Sequence, residues 1–144
     1  MRFRFLPTAV LLFSLGACSA PLPPPAAPAP AAETYVRDEL FFGMRKPDTT
    51  LVTEAEWQAF VDSVVTPRFP DGLTVLTGYG QYQPGSGPLV REPSKVLILI
   101  HQGGPDAERR IREIAALYCR RFDQESVMRV RDRVEAEFLT GNQL

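Results

Sequence analysis

The run KVLILIH, residues 95–101, restricts the possible folds more than any other part of the chain. Its apolar residues are consecutive, and a strand of this kind is buried on both faces of a sheet. Successive side chains of a strand point to opposite faces, so Val96, Ile98 and Ile100 face one side while Leu97 and Leu99 face the other. The sequence therefore predicts a central strand whose sheet needs a cover on both faces.

Two amphipathic helices are predicted, one before and one after this strand. Thr53 and Glu56 form the S/T-x-x-E capping box that begins the first helix, and Pro67 ends it. The apolar residues of this helix recur at helical spacing: Trp57, Phe60, Val61 and Val64. Gly104 and Pro105 begin the second helix. Its apolar stripe consists of Ile111, Ile114, Ala115, Tyr118 and Phe122.

Three further segments are predicted as strands, namely residues 35–43, 73–83 and 126–139. The last of them is apolar on one side and charged on the other, with the charged side formed by Arg129, Arg131, Arg133, Glu135 and Glu137. The element order βαββαβ is that of the split βαβ, or ferredoxin-like, arrangement. Right-handed crossovers then predict an α+β fold: a four-stranded antiparallel sheet with strands one and three in the middle and two helices on one face.

The sheet face without helices poses a physical problem, because strand three is apolar on both faces. An exposed apolar patch of this kind indicates an interface or a ligand groove. We expect a homodimer in which two sheets pair face to face, or an envelope protein that covers the face, with the Arg and Glu side of strand four along the rim. The alternative is that residues 44–52 or 84–94 cover the face in a monomer.

The N-terminal residues have the layout of a bacterial export signal. Arg2 and Arg4 precede an apolar stretch, residues 5–15. This stretch is too short to span a membrane as a helix, which needs ~20 apolar residues. We therefore predict a signal peptide over residues 1–17.

The residues that end this signal, Leu15-Gly16-Ala17-Cys18, resemble the lipobox of bacterial lipoproteins. The resemblance implies that the Cys18 thiol receives a diacylglycerol, that the chain is cut before Cys18, and that the new amino group is acylated, for example with palmitate. Ser19 follows Cys18, which resembles the default address of outer-membrane lipoproteins. We expect membrane lipid to be a partner through Cys18.

Residues 18–32 are predicted to be the lipidated cysteine and a tether, followed by a globular domain over residues 33–144. Residues 19–32 contain six Pro and six Ala, which favour an extended polyproline II conformation. At ~3.1 Å per residue this tether holds the domain ~40 Å from the bilayer. The formal net charge of -1 lacks the basic footprint of nucleic-acid binding, so no nucleic-acid partner is expected.

Four residues are weak candidates for a catalytic site. His101, the single histidine of the chain, follows strand three and could act as a general base near neutral pH. The more ordinary interpretation is a partly exposed residue at a strand end. Tyr79 and Tyr82 could stack on a ligand, and Arg129 completes the set. The types and spacing of these residues point to no particular reaction.

No metal site or cofactor is predicted. One His and one free Cys cannot form a zinc site made of His and Cys alone. With Cys18 used as the anchor, Cys119 has no disulfide partner, and its position beside a helix stripe is typical of a small core residue. Gly103 and Gly104 could form an anion nest, but the acidic residues of the first helical turn would repel a phosphate.

Two further segments receive structural interpretations. Gly78-Tyr79-Gly80 indicates a bulge or close packing in an edge strand. The segment VREPSK, residues 90–95, is interpreted as a solvated loop beside the sheet. Neither segment carries a chemical motif.

Several stretches of the chain together resemble one family of bacterial proteins. They are ELFFG, EAEWQAFVDSVVTPRFPDGLTVL, GQY, REPSKVLILIH and YCRRFDQESVMRV. The family consists of small exported proteins, many with lipoprotein signals, and its domain has no known function. The resemblance covers residues 35–139 and implies a shared fold but no active site. We expect a lipid-anchored envelope protein with a binding or interaction domain. The alternative is a small enzyme of the dimeric α+β barrel type.

Overall fold

The structure of the protein is a computed structural model, and it describes residues 33–141. The predicted signal peptide, Cys18 and the tether lie outside this range. Within it, none of the helices has the length and apolar character needed to cross a membrane.

The described residues form four strands and two helices in the predicted order βαββαβ. The elements are β1 (Glu33–Gly43), α1 (Glu54–Phe60), β2 (Thr74–Tyr82), β3 (Val90–His101), α2 (Gly104–Phe122) and β4 (Met128–Ala136). A π-helical segment, Val61–Val65, follows α1 directly, and the amide of Thr66 donates to the carbonyl of Val61 at 2.9 Å. The helical residues therefore end before Pro67, as predicted.

The strands form one antiparallel sheet in the order β2-β3-β1-β4, with β3 and β1 in the centre as predicted. β2 is an edge strand, and its pairing with β3 runs without interruption from Thr74 opposite Ile98 to Tyr82 opposite Val90. Gly78 and Gly80 therefore introduce no bulge into the sheet.

β3 begins at Val90, so the interpretation of residues 90–94 as a solvated loop is wrong. Proline has no N–H group to give to a sheet, and it is normally confined to positions where one side of a strand is unpaired. β1 provides that condition because it ends at Gly43, opposite Ser94. The carbonyl of Pro93 is still satisfied, by the amide of Met44 at 3.0 Å.

One hydrophobic core contains buried side chains from the central strands and from both helices. Phe42 lies at its centre: the ring of Trp57 on α1 is 5.1 Å away, and the ring of Tyr118 on α2 is 4.6 Å away. Leu40, Leu97 and Leu99 complete the strand contribution. Residues Ala31–Leu144 form one compact unit, and every core residue lies within it. We infer that this unit folds without the residues that precede it.

Candidate functional site

One face of the sheet is apolar and largely exposed, and we call it the open face. On β3, this face carries the side chains that alternate with the core residues Leu97 and Leu99. Apolar residues of the other three strands lie beside them on the same face. The apolar residues of the open face are Val96, Ile98, Ile100, Phe41, Leu76, Met128 and Val130. The exposed fraction is 49% for Ile100, 50% for Leu76, 58% for Met128 and 40% for Val130. Fractions this high mean that no other part of residues 33–141 covers these side chains.

The two loops that were alternatives for this cover lie elsewhere. Met44 and Val52 are buried members of the core, so the two ends of the first loop pack with the core residues, and most residues between them are exposed. The segment between β2 and β3 is mostly exposed, and Leu89 within it has 47% of its surface accessible. Neither loop buries the open face.

Three charged residues of the open face, Arg37, Glu39 and Asp132, form ion pairs with each other. The Nε atom of Arg37 lies 3.3 Å from Glu39, and its Nη2 atom lies 3.2 Å from Asp132. The pair with Asp132 joins β1 to β4 beside the apolar part of the face. A partner that covers the face would therefore meet an arginine that already has its own carboxylates.

The charged side of β4 does not line the rim of the open face, and that prediction is wrong. The register places Arg129 opposite Leu40 and Arg131 opposite Asp38, on the side of the sheet that carries the core. The physical reason is Asp38, which is fully buried and needs cationic partners. The apolar side of β4 instead extends the open face.

Asp38 is the centre of a buried polar cluster. Arg129 donates to both of its carboxylate oxygens, from Nε at 2.6 Å and from Nη2 at 3.0 Å. His101 approaches the same carboxylate at 2.9 Å. Burial alone raises the pKa of Asp38, but the hydrogen bonds from Arg129 and His101 and the charge of Arg131 outweigh it and lower the pKa below its ordinary value. Asp38 is thus held as a carboxylate.

His101 has both ring nitrogens occupied. Its Nδ1 accepts a hydrogen bond from the amide of Gly103 at 2.9 Å, so the ring proton resides on Nε2 and is donated to Asp38. Gly103 has a φ of 82°, and a Cβ atom there would lie 3.1 Å from a methyl group of Val36. Gly103 therefore allows the turn in which its amide donates to His101. Because this amide is already used, it is not available to bind an anion.

Glu108 extends the cluster onto α2. Its carboxylate accepts from Arg129 at 2.9 Å, from Arg131 at 3.0 Å and from Arg112 at 2.8 Å. The hydrogen bond from Arg129 is the main cause that lowers the pKa of Glu108. The cluster therefore connects β1, β3, β4 and α2 by alternating acids and bases.

The four catalytic candidates do not meet at one place. His101 and Arg129 share Asp38 as a partner. Tyr79 and Tyr82 lie opposite Pro93 and Val90, at the other end of β3, so Tyr79 is ~27 Å away from His101 along the strand at ~3.4 Å per residue. Both tyrosines are well exposed, at 68% and 53%. The structure thus separates the aromatic candidates from the polar cluster.

Sequence reasoning missed Asp38 and Glu108. Asp38 lies at the same strand parity as Leu40 and Phe42, so a charged residue among core positions was the available signal. A cleft of about 590 Å³ adjoins His101 and is lined by Phe69, Arg68 and Arg110 among others. His101 has no free ring nitrogen to offer a ligand there.

Neither a metal centre nor an activated thiol is found among residues 33–141. No three side chains of His, Cys, Asp or Glu come together there as metal ligands. Cys119 is a free, half-buried cysteine, and burial raises the pKa of its thiol. The open face and the buried cluster remain the two features that could serve a function.

Comparison with solved structures finds the same fold in a phage SAM lyase. The complex of such a lyase with S-methyl-5'-thioadenosine matches with a TM-score of 0.53 and 19% identity, over 74% of this chain and 93% of that one. A phage SAM lyase in its apo state matches with a TM-score of 0.51 and 18% identity, over 73% and 92% of the two chains. At this identity the likeness concerns the fold alone.

Comparisons of sequence give one further relation. No match is found among curated proteins. Residues 37–138 match the model of a family described as "Protein of unknown function (DUF3574)". This match spans most of the described domain, including all of the residues that form the core and the polar cluster. The chain belongs to the DUF3574 family.

Proposed function

We propose that this chain is a lipoprotein of the bacterial envelope, anchored through Cys18 to the outer membrane and facing the periplasm. Its domain is a binding and interaction module, and its interaction surface is the open face. A second copy of the chain occupies this face. The two helices cover the opposite face of the sheet.

The exposure of the open face is the observation that carries this proposal. Four strands ~4.8 Å apart, each paired over about nine residues of ~3.4 Å, present a face of roughly 600 Å². This is the order of the largest apolar patches on monomeric proteins, which are often functional. At 25 cal/mol per Å² of apolar surface, burial of this face contributes at most about 15 kcal/mol before association costs, because part of the face is charged. An area of this size supports an interface.

The position of both helices on the opposite face is supported by the composition of the core. Phe42 has ring contacts with Trp57 of α1 and Tyr118 of α2. The hydroxyl of Tyr118 also donates to the carbonyl of Gly43 at 2.8 Å. One strand residue thus contacts both helices from the face that is opposite to Phe41.

A second copy is the favoured occupant for two reasons. The area reaches the lower end of the ~600–1,000 Å² that each partner contributes to a stable interface. Arg37 already contacts both Glu39 and Asp132, so a copy placed on the face buries no lone arginine. A largely apolar face whose arginine already has carboxylate partners can meet an identical face without leaving that arginine unpaired.

The test is the mass of the unit made of residues 31–144, measured by native mass spectrometry and by sedimentation. The double variant Met128→Glu/Val130→Glu places two carboxylates on the open face. Its assembly should have half the mass of the wild-type assembly. The matched control Leu51→Glu/Leu89→Glu, at apolar residues exposed elsewhere, should keep the wild-type mass. A monomeric wild type, or an open-face variant of unchanged mass, would contradict the proposal.

A second candidate is an enzyme of the dimeric α+β barrel type that acts on a small molecule. The fold likeness to a phage SAM lyase supports this candidate, and S-methyl-5'-thioadenosine is the probe that the likeness suggests. The nucleoside should raise the melting temperature of residues 31–144 if this candidate holds. Because His101 and Tyr82 lie at opposite ends of β3, only one of the variants His101→Ala and Tyr82→Phe, the one at the end that binds the nucleoside, should then weaken that shift. No shift at saturating nucleoside counts against this substrate class.

A further inference from the structure

The outer edge of β2 is unusual among the exposed parts of this sheet. β2 is nine residues long, and its sequence TVLTGYGQY contains no charged residue and no proline. Within residues 33–141, β2 pairs with β3 alone. Natural proteins normally protect an edge strand with charges, proline, a bulge or a covering loop, because its free backbone groups pair readily with another strand. β2 has none of the first three devices.

The loop after β2 does not cover this edge either. The residues between β2 and β3 are mostly exposed, and they close on themselves. Gln83 donates from its side chain to the carbonyl of Gly87 at 3.0 Å, and the amide of Gly87 donates to the carbonyl of Pro84 at 2.8 Å. The loop is therefore a local turn that leaves the β2 edge uncovered.

The opposite edge of the sheet is protected in the usual way. β4 carries five charged residues over the same length: Arg129, Arg131, Asp132, Arg133 and Glu135. An antiparallel pair of two β4 strands centred on Asp132 would place Arg131 opposite Arg133 of the other copy, and like charges opposite each other destabilise a strand pair. The two edges of one sheet therefore differ in their ability to take a further strand.

We propose that β2 pairs antiparallel with β2 of a second copy across a two-fold axis, which joins two sheets into one of eight strands. Identical strands in such a pair bring only uncharged residues together, so no like charges oppose each other. Gly78 and Gly80 leave room for the larger side chains of the other strand, and Tyr79 and Tyr82 supply aromatic surface at the seam. Main-chain hydrogen bonds supply the affinity, as in other cases of strand addition.

This pairing is independent of the association through the open face. The open face is a surface of side chains, whereas the β2 edge offers backbone groups in the plane of the sheet. Two different two-fold interfaces on one chain build a closed tetramer when their axes meet at a right angle. The variant Met128→Glu/Val130→Glu, which disables only the open face, therefore isolates the β2 edge.

The experiment measures the mass of residues 31–144 in this open-face variant. The expected species is a dimer. Addition of Gly78→Lys and Gly80→Lys should convert it to a monomer, because lysines on an edge strand oppose pairing. The folded chain has space for them: a Cβ atom at Gly80 meets nothing within 4 Å, and one at Gly78 meets the Ser94 hydroxyl at an ordinary 3.5 Å. The control Leu139→Lys/Gly141→Lys adds the same charge away from the edge and should leave the dimer intact.

Hydrogen exchange provides a second measurement that does not depend on variants. Amides on the outer edge of β2 should exchange more slowly as the protein concentration rises, and those of β4 should not change. A monomeric open-face variant, or β2 amides whose exchange is independent of concentration, would overturn this inference. An open-face variant that keeps the full wild-type mass would instead overturn the role of the open face, so the two failures are distinguishable.

Discussion

Arg129 holds Asp38 in a two-point hydrogen bond, with Nε 2.6 Å from one carboxylate oxygen and Nη2 3.0 Å from the other. The carboxylate is fully buried, and the arginine side chain retains 21% exposure. Bidentate arginine–carboxylate pairs are among the strongest polar interactions in proteins. This pair joins the edge strand β4 to the central strand β1. It supplies the counter-charge for a carboxylate that lies at an otherwise apolar core position.

Loss of Arg129 should destabilise the domain strongly. Arg129→Met leaves a buried carboxylate without its main counter-charge, and removal of one partner from a buried pair costs about 3–5 kcal/mol. Urea unfolding of residues 31–144 measures this loss. Arg133→Met, at an exposed arginine of the same strand, is the control and should cost less than about 1 kcal/mol. Equal losses for the two variants would mean that the pair with Asp38 contributes no special stability.

The stability of the domain should fall in acid because of Asp38. Burial raises the pKa of Asp38, but the hydrogen bonds from Arg129 and His101 outweigh it, so the folded-state pKa lies below the unfolded value of ~3.9. A lowered folded-state pKa stabilises the fold above the unfolded pKa, and this contribution is lost as the pH falls through the folded pKa. Asp38→Asn should therefore flatten the loss of unfolding free energy below about pH 5. An unchanged slope would contradict this assignment.

The architecture could be predicted because its determinants are local. The capping box of Thr53 and Glu56 is present as predicted, with the Thr53 amide donating to Glu56 at 2.8 Å and the Glu56 amide donating to the Thr53 hydroxyl at 3.2 Å. The unbroken apolar run of β3 identified the central strand. Its alternation also divided the side chains into two sets, one of which had to form a face without helices, because side-chain parity follows directly from strand geometry. Which of the two sets forms the open face was left undecided by the sequence.

The polar cluster could not be predicted because its determinants are distant in sequence. Asp38 and Arg129 are 91 residues apart, and the sequence around each of them does not identify the other as its partner. When charged and apolar residues alternate along a strand, the charged side is normally expected to face solvent. That rule failed for β4, because the buried carboxylate of Asp38 on the neighbouring strand β1 is paired with Arg129 and Arg131. The start of β3 was missed for a related reason: Pro93 is acceptable only where β1 has already ended.

The capping box of α1 should add a second acid-sensitive contribution. The pKa of Glu56 is lowered from 4.5 to about 2, first by the hydrogen bond from the Thr53 amide and then by the one from Lys46. Its contribution to stability is complete above pH 4.5 and is lost as the pH falls toward 2. Glu56→Gln should reduce the slope of unfolding free energy in this window. An unchanged slope would contradict the role of this cap.

Cys18 should determine whether the chain reaches the membrane. The resemblance of residues 15–18 to a lipobox predicts that the Cys18 thiol receives a diacylglycerol. A single acyl chain anchors only marginally, since each buried methylene contributes ~0.8 kcal/mol, whereas two or more chains anchor stably. Mass spectrometry of the mature chain measures the lipid, and cell fractionation measures its location. Cys18→Ala should remove both the added mass and the membrane association. Cys119→Ala should keep both, and lipid found on the Cys18→Ala chain would contradict the lipoprotein prediction.

Cys119 should react more slowly than an ordinary thiol. Burial raises the pKa of Cys119, so a smaller fraction is thiolate near neutral pH, and the thiolate is the nucleophile. Residues 31–144 contain this cysteine and not Cys18, so alkylation by iodoacetamide reports on it alone. The folded domain should be alkylated more slowly than a free cysteine peptide at the same pH, and the urea-unfolded domain should match the peptide. A folded-state rate above that of the peptide would instead identify an activated thiol on α2, and it would favour the enzyme candidate over the binding module.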